Sequence, residues 1–209
     1  MSRMTNVIRF NEAILDEAAR KIANGGVIVL PTDTVYGIGC AFSRGDAIDR
    51  IFSIKRRDPN KSIAVLIAEL DQISQLTDFF PPSALALAEK FWPGALTLVV
   101  PKKAGLPENL SLAPTVGLRL PDHELTRELI RRSGPLATTS ANLSGTPPAN
   151  AVSEIPGDWF DQLDLVLDGG RVLGGQASTV VDCSGEPLRI LREGAISAAA
   201  LGLSPEEPR

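Results

Sequence analysis

The chain has 209 residues, 44% of them apolar and 5% aromatic, with a formal net charge of −4. That length supports one sizeable core and most simply one domain, and no apolar run reaches the roughly eighteen residues a membrane-spanning helix needs. Two cysteines (Cys40, Cys183) and one histidine (His123) argue against a disulfide scaffold, a cysteine zinc site and most histidine-based catalysis. The polar start reads as no signal peptide, the expected setting is a reducing cytoplasm, and any anion site must be a local cluster of Lys and Arg.

In chain order, Asn11 reads as an N-cap, with Ala13, Ile14, Ala18 and Ile22 at helical spacing and Gly25-Gly26 as the stop. Residues 27–30 form a buried strand that delivers Pro31-Thr32-Asp33-Thr34-Val35-Tyr36-Gly37-Ile38-Gly39. This tip carries hydroxyls, one carboxylate and the chain's only tyrosine; taken alone it is a Thr- and Gly-rich turn. Ser43 caps a helix over 46–56 with Ile48, Ile51 and Phe52 inward. The helix ends in Lys55-Arg56-Arg57, and Asp58-Pro59-Asn60-Lys61-Ser62 follows. A solvated basic helix end complements the dipole, but the same cations suit a triphosphate, because Arg meets phosphate oxygens bidentately and Lys adds a point charge.

Residues 63–68 are the next strand, and short helices follow over 69–76 and 83–92. Pro93-Gly94 breaks the second before a strand at 95–100, and Lys102-Lys103 are solubilising loop charges. The strand at 115–121 carries Arg119 among apolar neighbours, and a buried arginine needs an ion-pair partner or a ligand. His123 opens a helix with Leu125, Leu129 and Ile130 inward, as a surface or capping residue and not a catalyst.

The rest is organised around Ala137-Thr138-Thr139-Ser140-Ala141-Asn142-Leu143-Ser144-Gly145. Its apolar lead-in places small side chains that both donate and accept at the carboxyl end of a strand, where open α/β sheets bind ligands. A Ser- and Asn-rich turn is the plainer alternative, but a second strand with a similar polar tip favours a shared site. Beyond it, 150–157 is a loop with a helical turn and 163–167 a strand. Gly174-Gly175 allow close backbone approach to a ligand ahead of the hydroxyl-bearing Ser178-Thr179-Val180-Val181-Asp182. Residues 187–192 are a last strand ending in Arg192, with a helix from Ile196. No Walker or dinucleotide glycine fingerprint occurs. The expected domain covers 10–197, with flexible tails at 1–9 and 203–209.

Four blocks, Pro31-Thr32-Asp33-Thr34-Val35-Tyr36-Gly37, Lys55-Arg56-Arg57 with Lys61, Ser140-Ala141-Asn142-Leu143-Ser144-Gly145, and Ser178-Thr179-Val180-Val181-Asp182 with Arg192, together resemble the YrdC/Sua5 family, the L-threonylcarbamoyladenylate synthases, over roughly residues 10–197. The chain looks like the short, single-domain bacterial type, without the C-terminal domain of longer members. The resemblance implies an α/β, YrdC-like fold: a twisted mixed sheet flanked by helices, with a concave, positively lined ligand cavity. It implies a nucleotidyltransferase that condenses L-threonine, bicarbonate and ATP into threonylcarbamoyl-AMP and pyrophosphate, for N6-threonylcarbamoyladenosine (t6A) modification of tRNA at adenosine 37. Downstream tRNA threonylcarbamoyl-transfer proteins are the implied partners, with weak tRNA binding by the chain itself.

Carried over by position, Lys55, Arg57, Lys61, Thr115, Asn142, Asn150 and Arg192 would meet ATP. Lys55 and Arg57 would act electrostatically, with no covalent nucleophile. Thr34, Arg119, Ser140 and Ser178 would meet threonine, with Val35 and Val180 as walls for its methyl. One departure is that Asp58 stands where the family usually has proline. Mg2+ would arrive as Mg-ATP, held by phosphates and water, with Asp33 and Asp182 helping through water. Such chemistry asks for positioning and charge stabilisation more than for a nucleophile. One rival is an RNA- or nucleotide-binding module of the same fold without synthase activity, disfavoured by the acidic charge and scarce aromatics. The other, a sugar-phosphate lyase, would need acidic metal ligands and a histidine base.

Overall fold

A computed structural model describes residues 6–203; the remainder of the expected tails, 1–5 and 204–209, lies outside the described residues. Ten strands form one mixed sheet: β1 (Val7–Arg9), β2 (Ile28–Leu30), β3 (Gly37–Ala41), β4 (Ala64–Leu66), β5 (Leu96–Pro101), β6 (Thr115–Arg119), β7 (Leu136–Ser140), β8 (Leu165–Asp168), β9 (Thr179–Asp182) and β10 (Arg189–Arg192). Their spatial order is β1-β8-β2-β3-β7-β4-β6-β5-β9-β10. Five helices flank the sheet: α1 (Leu15–Ala23), α2 (Gly45–Lys55), α3 (Pro82–Phe91), α4 (Glu124–Ser133) and α5 (Ala198–Leu201).

Period-2 alternation sorts the strand side chains between two layers. Ile28 and Leu30, Leu66, Leu136, and Leu165 and Leu167 pack with Leu15, Ala18 and Ile22 of α1 and Leu129 and Ile130 of α4. Their neighbours Val29, Val65, Ala137 and Val166 face the opposite layer, built on Ile48, Ile51 and Phe52 of α2 and Leu87 of α3. Asn11 caps as expected, accepting from the Ala13 N–H at 3.0 Å, and His123 caps α4 by accepting from the Thr126 N–H at 3.3 Å.

Three expectations are corrected. Residues 7–9 are not tail but an edge strand paired in parallel with β8, and the Asn6 amide donates to the Phe160 and Leu163 carbonyls at 2.8 and 2.7 Å. A three-residue strand is too short to announce itself by alternation. Ser43 does not cap α2; Arg44 occupies the N-cap position without a side-chain cap and pairs with Asp46 at 2.7 Å.

The third is the segment 37–41, which belongs to the sheet's centre and not to a turn. Its two glycines hide it from strand propensity, and packing explains them. A Cβ on Gly37 would lie 2.7 Å from Thr138 Cγ2, and one on Gly39 2.7 Å from Thr138 Oγ1. The β3–β7 register, Gly37 opposite Ser140 and Gly39 opposite Thr138, therefore requires glycine at both positions.

Candidate active site

Towards one end of the sheet the alternation changes character. On β6, Val116 and Leu118 enter the core while Thr115, Gly117 and Arg119 face the other way. On β5, Leu96, Leu98 and Val100 are core, while Thr97 and Val99 share that outer face. β7 follows Leu136 with Thr138 and Ser140. These small and polar side chains floor a cavity of about 430 Å3, walled by Thr32, Thr34, Ser178, Val180 and the arginines Arg57 and Arg192. It lies on the α1/α4 side, since Leu66 belongs both to that core layer and to the cavity lining. Where helices cover the face the residues are apolar; where they stop, the same strands carry hydroxyls and glycine.

Seven of the eleven sequence-predicted site residues line this space: Thr34, Arg57, Thr115, Arg119, Ser140, Ser178 and Arg192. Val35 and Val180 line it as well. Arg119 is the best anchored. Its Nε donates to the Gly94 carbonyl at 2.9 Å, Nη1 to Thr34 Oγ1 at 2.9 Å and Nη2 to Asp33 Oδ1 at 2.5 Å. Of five guanidinium N–H groups, two remain for a ligand. The Thr32 hydroxyl donates to the Val35 carbonyl at 2.6 Å, accepts from the Thr34 and Val35 N–H groups at 3.2 Å each, and stands 3.0 Å from Thr34 Oγ1, where either hydroxyl can donate. Thr34 Oγ1 accepts from Arg119 and keeps a second lone pair, suited to an ammonium or hydroxyl donor. Ser178 Oγ shares a proton with Thr97 Oγ1 at 2.9 Å and accepts from Arg192 Nη2 at 3.3 Å. Among the described residues the Ser140 hydroxyl has no hydrogen bond within the protein.

Electrostatically the cavity is short of negative charge. Burial lowers the pKa of Arg57, Arg119 and Arg192. Arg57 is lowered further by the Arg192 cation, and Arg192 by Arg119, while Asp33 offsets the effect on Arg119. Among the described residues Asp33 is the only carboxylate paired with any of the three. Arg57 donates from Nη2 to the Ser62 carbonyl at 2.9 Å, and its buried Nε has no partner.

Four predicted residues lie outside the cavity lining. Asn142 donates from Nδ2 to the Leu143 and Thr146 carbonyls, which fixes its amide and leaves a buried Oδ1 without a partner. Asn150 Oδ1 is likewise buried and unpartnered. Lys61 is exposed, one residue before the lining Ser62. Lys55 is turned inward and is 1% exposed. Two of its three ammonium N–H donors go to the Ser140 and Asn142 carbonyls.

Both carboxylates suggested to help magnesium through water have protein partners. Asp33 is committed to Arg119, and Asp182 accepts from Ser184 Oγ at 2.6 Å and Arg189 at 3.3 Å. Nor do Gly174 and Gly175 make room for a ligand. A Cβ on Gly174 would lie 2.3 Å from the Asp33 carbonyl oxygen, and the Gly175 N–H donates to the Thr34 carbonyl at 2.9 Å, so this loop braces the Thr34 segment. Tyr36 is buried, donating to the Gly170 carbonyl at 2.6 Å, and burial pushes its pKa up to about 12.

Sequence reasoning missed Thr97 and the small floor residues Ala64 and Gly117. The signal was available in β6, where Thr115, Gly117 and Arg119 alternate with Val116 and Leu118, and in the single Thr97 of the apolar β5.

Residues 20–194 match the Sua5/YciO/YrdC family, whose description reads "Telomere recombination". The chain belongs to this family. It is 37% identical over 200 residues to the threonylcarbamoyl-AMP synthase of Bacillus subtilis (strain 168), covering 93% of this chain and 57% of that protein. It is 40% identical over 210 residues to the putative threonylcarbamoyl-AMP synthase of Mycobacterium leprae (strain TN), covering 96% and 94%. Among solved structures, Pyrococcus abyssi Sua5 complexed with L-threonine superposes with a TM-score of 0.85 at 36% identity, over 90% of this chain and 56% of that one. E. coli YciO gives 0.80 at 25% identity, over 93% and 97%. The chain thus spans under two thirds of the B. subtilis and P. abyssi proteins and nearly all of the M. leprae and YciO chains. The family's mixed sheet is the one described above; among the described residues no helix is long and apolar enough to cross a membrane.

Proposed function

We propose that the cavity is the active site of an L-threonylcarbamoyladenylate synthase, a nucleotidyltransferase that joins L-threonine, bicarbonate and ATP and releases pyrophosphate. The observation that carries this reading is the convergence of Arg57, Arg119 and Arg192 on one cavity against the single carboxylate of Asp33. Such a site is electrostatically complete only with a polyanion in it. The relatives named threonylcarbamoyl-AMP synthase, and the P. abyssi Sua5 structure with L-threonine, support the identity of the substrates.

In this reading the two spare N–H groups of Arg119 take the threonine carboxylate, and the Thr34 lone pair takes its ammonium or hydroxyl. The threonine ammonium loses one proton to solvent, its neutral amine attacks the carbon of bicarbonate, hydroxide takes a second nitrogen proton and leaves as water, and a carbamate remains on nitrogen. A carbamate oxygen then attacks the α-phosphorus of ATP, and pyrophosphate leaves with the electron pair of the broken P–O bond. Neither step needs a protein nucleophile; both build negative charge, which Arg57 and Arg192 are placed to stabilise. The unpartnered Oδ1 atoms of Asn142 and Asn150 require donors, as on ribose hydroxyls or the adenine amine, and not phosphate oxygens. Magnesium enters as part of the substrate Mg-ATP, on phosphate and water oxygens, because among the described residues the cavity lining carries three arginines and no carboxylate. The product passes in this reading to tRNA threonylcarbamoyl-transfer proteins for t6A formation in the cytoplasm, and the chain itself binds tRNA weakly.

The test is pyrophosphate release with threonine, bicarbonate and ATP each omitted in turn, under carbon-dioxide-free gas. Turnover that persists without threonine or without bicarbonate overturns the assignment.

A further inference from the structure

Lys55 closes α2, and Arg56 follows with φ 48 and ψ 43, a left-handed conformation rare for a residue with a side chain. That reversal sends Lys55 into the protein and, two residues on, Arg57 to the cavity. The Lys55 ammonium meets two backbone carbonyls, those of Ser140 and, at 2.5 Å, Asn142. It also lies 5.6 Å from the ring centroid of the fully buried Trp159. Among the described residues no carboxylate is paired with it. The Lys55 carbonyl in turn accepts from the Ser144 N–H at 3.4 Å.

Both acceptors belong to the tip of β7, whose Ser140 side chain lines the cavity and whose Asn142 amide is pinned within the loop. We propose that Lys55 is a positioning residue and not a phosphate ligand: its ammonium ties the Ser140–Asn142 peptides to the end of α2, so that the hydroxyl tip and the Arg57 loop keep one fixed relation. A lysine suits this place because three N–H donors on a compact head can serve two carbonyls and a ring face; a planar guanidinium is wider than that slot. Burial, with a smaller contribution from Arg57, draws the Lys55 pKa down to about 7. The consequence for catalysis rests on the synthase reading; the structural role does not.

Lys55→Met keeps length and apolar stem and removes the donors. It is expected to raise the KM for threonine and for ATP together, by roughly tenfold each, and to speed amide exchange in residues 139–144 at least tenfold in the ligand-free protein. A rise confined to the ATP KM, with exchange unchanged, would mark a phosphate contact and overturn the proposal. Because the variant can fail to fold, a second arm uses the unaltered protein. Lysines are reductively methylated with and without ATP and read by mass spectrometry. Lys55 is expected to resist labelling in both states, while exposed Lys61 reacts when ATP is absent. Labelling of Lys55 in the free protein, suppressed by ATP, overturns the proposal even if no variant can be made. If the unaltered protein shows no threonine-dependent turnover, the synthase reading falls, and exchange and labelling still decide the role of Lys55.

Discussion

The Asp33–Arg119 pair is where stability and binding are most directly opposed, and Asp33→Asn separates them. Asp33 and Arg119 are 16% and 7% exposed at their side chains, and the bond between them is 2.5 Å. Removing one partner of a buried pair leaves an uncompensated charge and costs about 3–5 kcal/mol. Asparagine keeps an acceptor for Nη2, and Thr34 and Gly94 still hold the other donors, so the loss should be nearer the ~1.5–3 kcal/mol of a charged hydrogen bond. For a domain of this size about 2–4 °C accompanies each kcal/mol, so the melting temperature should fall by roughly 3–12 °C. The same change removes, among the described residues, the only carboxylate paired with a cavity arginine and should tighten anion binding. A tenfold gain in pyrophosphate affinity would add about 1.4 kcal/mol, roughly 3–6 °C, to the ligand-induced shift of the variant over that of the parent. Circular-dichroism melts of both proteins, with and without pyrophosphate at constant ionic strength, give all four numbers. A variant that melts lower but gains no more from pyrophosphate than the parent does would refute the charge argument.

Arg57→Ala should weaken ATP binding about ten- to a hundredfold, the value of a charge-assisted phosphate contact, while Lys61→Ala, exposed at the rim, should cost less; calorimetric titration orders them, and equal affinities for both variants and parent would remove the phosphate assignment. Thr97→Val takes away the partner of the Ser178 hydroxyl and should raise the threonine KM several-fold with the fold intact; an unchanged KM beside a lower melting point would make Thr97 purely structural. Gly39→Ala places a methyl against Thr138 Oγ1 and should destabilise by about 1–3 kcal/mol, whereas the double variant Gly39→Ala/Thr138→Ser retains that oxygen and should not recover; denaturant midpoints for both check the geometry.

Much of the fold was legible because burial writes a period into the sequence. The 27–30, 63–68 and 95–100 runs, and the helical spacing of Ala18, Ile22, Leu129 and Ile130, mark elements that pack as expected. What escaped detection did so for local reasons. β1 is too short to show alternation, and β3 is built on glycines that strand propensity reads as a turn. The polar tips at 31–39 and 137–145 were legible as residue types at strand ends, while the grouping of Arg57, Arg119, Ser140 and Ser178 in one site followed from the family resemblance. The direction of each side chain was not. Lys55 and Arg57 stand two residues apart in one basic run, yet the left-handed turn at Arg56 puts one in the interior and the other at the ligand space. Charge counting along the chain cannot divide such a run; only the backbone does.

The same division explains how a protein of net charge −4 can hold a cationic cavity without losing its fold. On α4 the cations are matched at the surface: Arg127, Arg131 and Arg132 pair with Glu69, Glu124, Glu128, Asp16 and Asp122. Exposed pairs of that kind contribute little individually, so they compensate charge more than they stabilise. In the cavity the opposite choice is made. Arg57 and Arg192 donate to the Ser62 and Ser178 carbonyls, which orient them without cancelling their charge. Lys55 carries the principle one step further, since its charge faces carbonyls and a ring and leaves Asp33 to Arg119 alone. Orientation by neutral acceptors keeps the positive potential available at the moment a polyanion enters, and an acid added to steady any of these cations would take that potential away.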